Sequence, residues 1–431
     1  MQEFVLVIVL LGLFLSTTPI GISFIATAIL LFSFFTSTPL IMIAQGLFSK
    51  LNSFPLEAVL FFILLGNIMK KGNSSLYLIN FTKSLLFWLQ GGLGIAGVMA
   101  CTIFGAISGS ATATVVAIMP IMIPAMVSAK YDRFFAIGLM TTSSILGVII
   151  PPSILMILYA VVANVSIAKL FLGGLVPGIL IAAALSIYTA IVCKRKGYGA
   201  ITASESVEDR PVSEMLRATQ KASFALFLPF LVLGGIYAGI FTPTEAAVVG
   251  CVYGFFIEIF IYRTIGFKSC YEIFRFSGIT TGALLITLAG AKIFCDYLTM
   301  QQIPQDLASF VVESIKSPIV FLICFNLLFL FLGTFIDPLS AIMVVTPILL
   351  PTIHALGMDP LFLGVILAIN LGLGYCTPPL GANLFVASLV MDESYSMITK
   401  AVLPPIIIYF IMLILINAFP SIVMFLPNAI M

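Results

Sequence analysis

The sequence predicts an all-α polytopic membrane protein built from an inverted repeat, with five spans plus one re-entrant hairpin in each copy. Of its 431 residues, 61% are hydrophobic and 8% are charged, whereas a soluble domain has about 25% charged residues. Apolar runs long enough to cross a bilayer, about 20 residues each, occupy most of the chain. This composition leaves no room for a separate soluble catalytic domain.

A second observation is that proline positions recur at one constant spacing. Residues 1–204 overlay 228–431 without a gap, and 205–227 join the two copies. An odd number of crossings in each copy places the second copy upside down in the membrane. The matched prolines, each 227 residues apart, are Pro120 with Pro347, Pro124 with Pro351, Pro151 with Pro378, and Pro152 with Pro379.

The third observation is that polar or proline-containing interruptions break apolar runs in both copies. Such breaks expose backbone groups that lipid cannot satisfy, so they occur only inside protein or beside a watery cavity. Paired broken segments in two halves are the best sequence indication of a transporter's binding site. The four interruptions lie within 105–114, 150–153, 333–338 and 376–379.

The elements of the first copy follow from these patterns. Lys83 and Trp88 indicate a helix that lies at the interface, and each arm around 108–110 is too short to cross comfortably. The predicted elements are spans 4–16, 19–36 and 54–70, an interfacial helix 73–89, a hairpin with arms 91–107 and 111–127, a broken span 133–163 and a whole span 170–193.

The second copy repeats this order. Its predicted elements are spans 223–240, 245–262 and 278–298, an interfacial stretch 300–316, a hairpin with arms 318–334 and 339–354, a broken span 360–390 and a last span 403–426.

The distribution of basic residues predicts which side each loop faces. On this threading most of the 19 lysines and arginines fall on one face, including the run at 194–196, whereas Lys50, Lys169 and Lys316 fall on the other. Because cytoplasmic loops contain the excess of lysine and arginine, the basic face is predicted to be cytoplasmic and both termini periplasmic. The hydrophilic linker 195–221 then joins the copies on the cytoplasmic side.

The first hairpin tip and the first proline break predict a Na⁺ site. Half-helices that end at a tip leave carbonyl and N–H groups unpaired, and a proline break frees further carbonyls. Hard cations take oxygen ligands of this kind. The alternative is that these small residues only let helices pack closely. The predicted ligand positions are Ser108, Gly109, Ser110, Gly147, Ile150 and Pro151.

The second tip predicts a second Na⁺ site with a carboxylate. Asp337 stands where the first copy has Ser110, and an ionisable residue inside a membrane is a functional hypothesis by default. The alternative is that Asp337 caps the helix that begins at Pro338, and both roles are compatible. The predicted positions are Gly333, Asp337, Ser340, Gly374 and Thr377.

An anionic substrate is expected between the two tips, because helix N-termini attract carboxylates. Neither motif contains lysine or arginine, so dipoles, hydroxyls and Na⁺ would balance its charge. The sequence shows no catalytic triad, zinc motif or phosphate-binding loop, which argues against an enzyme and an ATP-driven pump. The predicted substrate contacts are Ser110, Thr112, Ser153, Thr377 and Asn383.

At these motifs the chain resembles the large membrane subunit of tripartite ATP-independent periplasmic (TRAP) transporters, the DctM-like family. The resemblance covers essentially the whole chain. The residues that show it are Phe104-Gly-Ala-Ile-Ser-Gly-Ser-Ala-Thr-Ala113, Ile149-Ile-Pro-Pro-Ser153, Gly173-Gly-Leu-Val-Pro-Gly178 and Thr377-Pro-Pro-Leu-Gly381.

The resemblance implies an elevator-type fold of the ion-transporter superfamily, with a mobile transport domain held by a scaffold with interfacial arm helices. It divides the chain into 1–90 (scaffold spans and first arm helix), 91–165 (first hairpin and broken span of the transport domain), 166–317 (scaffold spans, linker and second arm helix), 318–392 (second hairpin and broken span) and 393–431 (scaffold span).

The resemblance also implies a function. It indicates Na⁺-coupled import of a small organic acid, such as a C4-dicarboxylate, a sialic acid or a sugar acid, across the bacterial inner membrane, with no organic cofactor. The implied partners are a small four-helix membrane subunit, expected as a separate polypeptide, and a periplasmic substrate-binding protein; no nucleic acid is involved. The alternatives are a stand-alone Na⁺/carboxylate carrier of the same superfamily and, in a different class, a channel or structural membrane scaffold.

Overall fold

The computed structural model describes residues 8–10, 12–13, 16, 18–39, 41, 43–46, 54–86, 88–199, 212–315 and 317–431. Over these residues the chain is helical and contains no strand. By length and composition, nine of the described helices are able to cross a membrane. The predicted span 4–16 lies largely outside the described residues, as does 200–211 of the predicted linker.

The helices of the first copy match the predicted order. The first proline break is longer than predicted, because the helix is also interrupted at 144–145. The helices are α1 (Ile20–Phe35), α2 (Phe54–Lys71), α3 (Ser74–Leu86), α4 (Gly92–Ser108), α5 (Ala111–Ser128), α6 (Arg133–Ser143), α7 (Leu146–Ile149), α8 (Ile154–Ala163) and α9 (Ile167–Lys196).

The helices of the second copy follow the same order. The helices are α10 (Val212–Tyr237), α11 (Pro243–Phe256, continued by a π-helical turn Ile257–Ile261), α12 (Phe267–Met300), α13 (Ile303–Ser314), α14 (Pro318–Phe335), α15 (Pro338–Ala355), α16 (Pro360–Gly374), α17 (Ala382–Met391), α18 (Tyr395–Ala418) and α19 (Ser421–Ile430).

The last predicted span, 403–426, is wrong at both ends. The helix α18 starts eight residues earlier, at Tyr395, and runs through Pro404 and Pro405, because neighbouring helices compensate for proline in membrane helices. It ends at Ala418, before Pro420, and a separate helix α19 follows.

The helix bounds confirm the internal duplication. The helices α5 and α15 cover Ala111–Ser128 and Pro338–Ala355, so both ends differ by 227 residues. Both proline pairs, Pro151–Pro152 and Pro378–Pro379, are cis. The spacing read from the prolines therefore holds for whole elements.

The packing of the two copies is reciprocal. The helix α1 packs on α12, and their counterparts α11 and α2 pack on each other. In the same way α8 packs on α15 while α17 packs on α5, and α9 packs on α16 while α18 packs on α6. An exchange of equivalent partners is what a two-fold axis between the copies produces, as the predicted inverted repeat requires.

The helices form two groups. The arm group consists of α1–α3 and α10–α13, where α12 packs on α1 and α2, and α10 packs on α3 and α11. The hairpin group consists of α4–α9 and α14–α19. Its α9 packs on α4, α16 and α18, and its α18 packs on α6, α16 and α17. The ranges predicted for the scaffold, 166–317 and 393–431, therefore include three helices that pack within the hairpin group, α9, α18 and α19.

Three asparagines connect helices of the hairpin group. Asn370 Nδ2 donates to Asn326 Oδ1 at 2.8 Å, and Asn326 Nδ2 donates to Asn417 Oδ1 at 3.1 Å. These contacts join α14, α16 and α18. Hydrogen bonds between helices stabilise packing in membranes, where the hydrophobic effect does not drive one helix against another.

One fully buried carboxylate connects the copies within the arm group. Glu258, in the π-helical turn, accepts hydrogen bonds from the backbone N–H groups of Asn73 and Ser74, both at 3.0 Å, and from the hydroxyls of Ser74 and Thr264. The first N–H groups of a helix have no intrahelical partner, and an anion is favourable there. Glu258 therefore anchors the N-terminus of the interfacial helix α3.

We expect Glu258→Ala to lower the free energy of unfolding by about 3 kcal/mol, because buried donors lose a charged acceptor. Glu258→Gln should cost less, since its amide oxygen still accepts hydrogen bonds. Thermal unfolding in detergent measures both variants. The matched control is Glu313→Ala, at an exposed position on α13; an equal loss of stability in the control would contradict the anchoring role.

Candidate functional site

The first hairpin tip is shaped by one glycine and one capping serine. Gly109, between α4 and α5, has φ +62°, a left-handed conformation that glycine adopts without strain. Ser110 is the N-cap of α5, and its hydroxyl accepts from Ala113 N–H at 3.4 Å. The sequence thus places two half-helix ends at one point.

The first tip lies directly against the first broken span. A Cβ on Gly105 would lie 2.5 Å from the Cα of Gly147, and a Cβ on Gly147 would lie 2.9 Å from the carbonyl oxygen of Ser110. The N–H of Ile154 donates to the carbonyl of Gly109 at 3.4 Å. The two interruptions are therefore in backbone contact, which only glycine at 105 and 147 permits.

Oxygen atoms converge where this tip meets the broken span. The Thr114 hydroxyl donates to the Ser110 carbonyl at 2.8 Å and lies 3.5 Å from the Ser108 hydroxyl. The predicted positions Ser108, Gly109, Ser110 and Gly147 are thus brought together. Thr114 was not predicted, although its position four residues after Ser110 places it on the same face of the helix.

The other two predicted positions of the first site, Ile150 and Pro151, lie at the end of the short helix α7. Both are buried. The next residue, Pro152, points its carbonyl oxygen at the tip, 2.8 Å from where a Cβ on Gly109 would lie. Their role as ligands stays a prediction.

The second tip shows the capping role of its carboxylate. Asp337 accepts from the N–H of Ser340 at 3.2 Å and from its hydroxyl at 3.4 Å, and it is the N-cap of α15. The capping interpretation is therefore confirmed. Gly333 and Gly374 are in backbone contact, since a Cβ on Gly374 would lie 2.6 Å from the Cα of Gly333.

Thr377 completes the positions predicted for the second site. Its hydroxyl donates to the carbonyl of Leu373 at 2.8 Å. The structure therefore brings together two pairs, Asp337 with Ser340 and Gly333 with Gly374, while Thr377 bonds within its own broken span.

Asp337 also lines a crevice between the two helix groups. The crevice has a volume of about 220 Å³, and its walls include Leu158 on α8, Met343 on α15 and Thr280 and Thr287 on α12. Among the described residues, no lysine or arginine forms an ion pair with this carboxylate. This carboxylate is exposed to the crevice, and an ionisable residue inside a membrane is a functional hypothesis by default.

The two broken spans are joined by a buried hydrogen bond. Asn383 Nδ2 donates to the Ser144 hydroxyl at 2.8 Å, although the two residues are 239 positions apart. Within the described part of the chain, Asn383 Oδ1 and the neighbouring Ser143 hydroxyl have no hydrogen-bond partner. Sequence reasoning named Asn383 but not Ser144, which is the last of four consecutive hydroxyl residues, 141–144.

Of the five predicted substrate contacts, Ser110 and Thr112 are the pair that a hydrogen bond joins directly among the described residues. The hydroxyls of Ser110 and Thr112 lie 3.1 Å apart at the first tip. Ser153 is buried; its hydroxyl donates to the Val148 carbonyl at 2.6 Å and caps α8. Thr377 and Asn383 belong to the second break. Their roles as substrate contacts stay predictions.

Together the fold and these interruptions are typical of a membrane transporter. Two hairpin tips lie against two broken helices. The structure is similar to that of the Alcanivorax borkumensis YdaH transporter, with a TM-score of 0.62, 15% identity and coverage of 89% of this chain and 88% of that chain. At this identity the likeness concerns the fold alone.

Sequence comparison gives the family. Residues 6–422 match the family model of the tripartite ATP-independent periplasmic transporter, DctM component, and the chain belongs to this family.

Two relatives show how far the similarity extends. The C4-dicarboxylate TRAP transporter large permease protein DctM of Rhodobacter capsulatus is 36% identical, with coverage of 97% of both chains. The sialic acid TRAP transporter large permease protein SiaM of Vibrio cholerae is also 36% identical, with coverage of 97% of this chain and 96% of its own. The predicted family and the exclusion of an enzyme are confirmed.

We expect Gly105→Ala to destabilise the first tip and reduce uptake, because the added methyl group would press on the backbone of Gly147. Overpacking of this kind costs about 1–3 kcal/mol. Gly278→Ala is the matched control, since nothing lies within 4 Å of a Cβ at that position. Uptake and thermal unfolding are measured for both variants. If Gly105→Ala had the uptake and the unfolding temperature of the unmodified protein, the backbone contact would be contradicted.

Proposed function

We propose that this chain is the large permease subunit of a Na⁺-coupled transporter that imports a small organic acid. The observation that supports this most directly is the double contact of tip and broken span, with the two breaks joined by Asn383 and Ser144 at 2.8 Å. Relatives of this chain are named for C4-dicarboxylate and sialic acid, which favours an organic acid as substrate.

We infer two Na⁺ sites from the oxygen atoms at the tips. The first comprises Ser108, Gly109, Ser110 and Gly147, with Thr114 added by its hydrogen bond to the Ser110 carbonyl. Hydroxyl and carbonyl oxygens are suitable ligands for a hard cation.

The second site differs in charge. It comprises Gly333, Asp337, Ser340, Gly374 and Thr377, and its carboxylate lines the crevice between the helix groups. Na⁺ there would offset the charge of Asp337, and the capping hydrogen bonds would hold the carboxylate in place.

An elevator movement of the hairpin group against the arm group accounts for the asymmetric contacts between them. Of the hairpin arms, the interfacial helix α3 packs mainly on α4, which is the first arm of the first hairpin. Its counterpart α13 packs on α15, which is the second arm of the second hairpin. A hairpin group placed symmetrically between the copies would have equivalent contacts on both sides. We infer that the hairpin group is displaced toward one end of its movement in this structure. At the other end of the movement, the two copies would exchange these contacts.

Burial of the two broken spans supports the same inference. The helix α8 packs on α2 of the arm group and is largely buried. On its counterpart α17, Phe385 and Leu389 are 45% and 83% exposed. In the predicted orientation, α17 is the cytoplasmic half of the second broken span. We therefore infer that the structure represents a state that is open to the cytoplasm. The moving unit would include α9, α18 and α19, which pack within the hairpin group.

The remaining assignments are supported by the family and by the distribution of basic residues. We propose that the chain works in the bacterial inner membrane, with both termini periplasmic, together with a small four-helix membrane subunit and a periplasmic binding protein. Uptake in vesicles that contain this chain alone would instead support a stand-alone carrier.

We expect Asp337→Asn to raise the Na⁺ concentration for half-maximal uptake by tenfold or more, about 1.4 kcal/mol of binding free energy. Asparagine caps helices about as well as aspartate, so stability should change little. Asp359→Asn changes the matching N-cap of α16 and serves as the control. Unchanged Na⁺ dependence in Asp337→Asn would contradict the second site.

We expect the cysteine pair Gly66→Cys and Ser108→Cys to form a disulfide that stops transport. A Cβ on Gly66 of α2 lies 3.5 Å from the Cβ of Ser108 at the first tip, within the range of about 3.5–4.5 Å for disulfides. Oxidation should block uptake in vesicles and reduction should restore it to the level of Ser108→Cys alone.

The equivalent cysteine pair in the second copy provides the control for movement of the hairpin group. Ile293→Cys and Phe335→Cys occupy the equivalent positions in the second copy, where Ile293 is 3% and Phe335 is 48% exposed. This pair should cross-link only in the opposite state. Equal cross-linking of both pairs under all conditions would argue against a movement between the groups.

A further inference from the structure

A basic cavity lies at the end of the helix pair α2 and α12. It has a volume of about 500 Å³, and Lys70, Lys71 and Arg275 line it together with the apolar side chains of Phe276 and Ile279. None of these residues belongs to the tips or breaks. Lys70 and Lys71 end α2, where cations are favoured by the helix dipole.

The cavity has an excess of positive charge. Lys71 Nζ pairs with Glu272 Oε2 at 2.9 Å, and Glu272 is the only carboxylate among the lining residues. Within the described part of the chain, no salt bridge is formed by Lys70 or Arg275. Lys70 Nζ lies 6.0 Å from the ring centroid of Phe276. Two cations therefore face this cavity without a carboxylate partner.

The position of the cavity along α12 corresponds to the lipid headgroups. The helix has 34 residues, and at 1.5 Å per residue it is about 51 Å long, whereas the hydrocarbon core is about 30 Å thick. The surplus of about 21 Å allows the first turns, which contain Glu272 and Arg275, to lie at the depth of the headgroups. Phe276 and Ile279 follow toward the membrane interior and are 57% and 62% exposed.

We propose that this cavity binds the headgroup of an anionic phospholipid. The phosphate would lie between Lys70 and Arg275, and an acyl chain would follow the exposed side chains of Phe276 and Ile279. Basic pockets between membrane helices on the cytoplasmic side bind anionic headgroups, and arginine binds phosphate with two parallel hydrogen bonds. The orientation under Proposed function places this cavity in the cytoplasmic leaflet. The binding of the headgroup by Lys70 and Arg275 does not depend on that orientation.

Native mass spectrometry of the purified chain in mixed micelles tests this site. Phosphatidylglycerol should remain bound under conditions that strip phosphatidylcholine, and Lys70→Gln with Arg275→Gln should weaken its binding by about 30-fold, as expected for two basic residues. Lys194→Gln with Arg195→Gln removes two exposed cations from the end of α9 and should leave the binding unchanged. The exchange Lys70→Arg with Arg275→Lys keeps the charge and should retain the lipid.

Two further measurements separate the sources of the ligand. Millimolar inorganic phosphate that displaces phosphatidylglycerol would show a site for free anions and overturn the proposal. So would an equal loss of lipid in the α9 control. Photo-cross-linking from p-benzoylphenylalanine in place of Phe276 should label lipid; labelling of a partner protein would assign the cavity to a protein contact instead.

Discussion

The structure depends on one constraint, that backbone groups exposed inside a membrane must find partners within the protein. At the first tip and break the N-caps Ser110 and Ser153 accept the N–H groups of Ala113 and Met156, each at 3.4 Å. At the second tip Asp337 performs the same function. The broken span supplies a further partner, since the N–H of Ile154 donates to the carbonyl of Gly109 at the first tip at 3.4 Å, and glycines at 105 and 147 permit this close approach.

The prolines made the repeat predictable, because their positions recur at a constant spacing in the sequence even where the helix continues through them. The same regularity placed Asp337 and Ser110 at equivalent tips. Thr114 and Ser144 escaped prediction for another reason, since each is one hydroxyl among several in its stretch of sequence and packing decides which of these hydroxyls contacts the site. The bond between Ser144 and Asn383 spans 239 positions, and no local pattern encodes such a distance.

The two copies share a fold but differ in chemistry at matched positions. Asp337 corresponds to Ser110, Asn383 to Met156 and Glu258 to Leu31. The capping role at the tip is retained in both copies, whereas the charge is present in one. The hydrogen bond between Asn383 and Ser144 likewise has no equivalent in the first copy, where Met156 stands in place of Asn383. Duplication therefore explains the architecture, and later divergence explains where charge and polarity lie.

The anchor at Glu258 has a consequence for how the protein is made. The donors at Asn73 and Ser74 precede their acceptor by 185 and 184 residues, so α3 leaves the ribosome long before its partner exists. The helix α1 likewise packs on α12, which is synthesised more than 200 residues later. The N-terminal copy is therefore inserted with its polar helix end and its apolar face unmatched, and it settles only when translation has passed the middle of the chain.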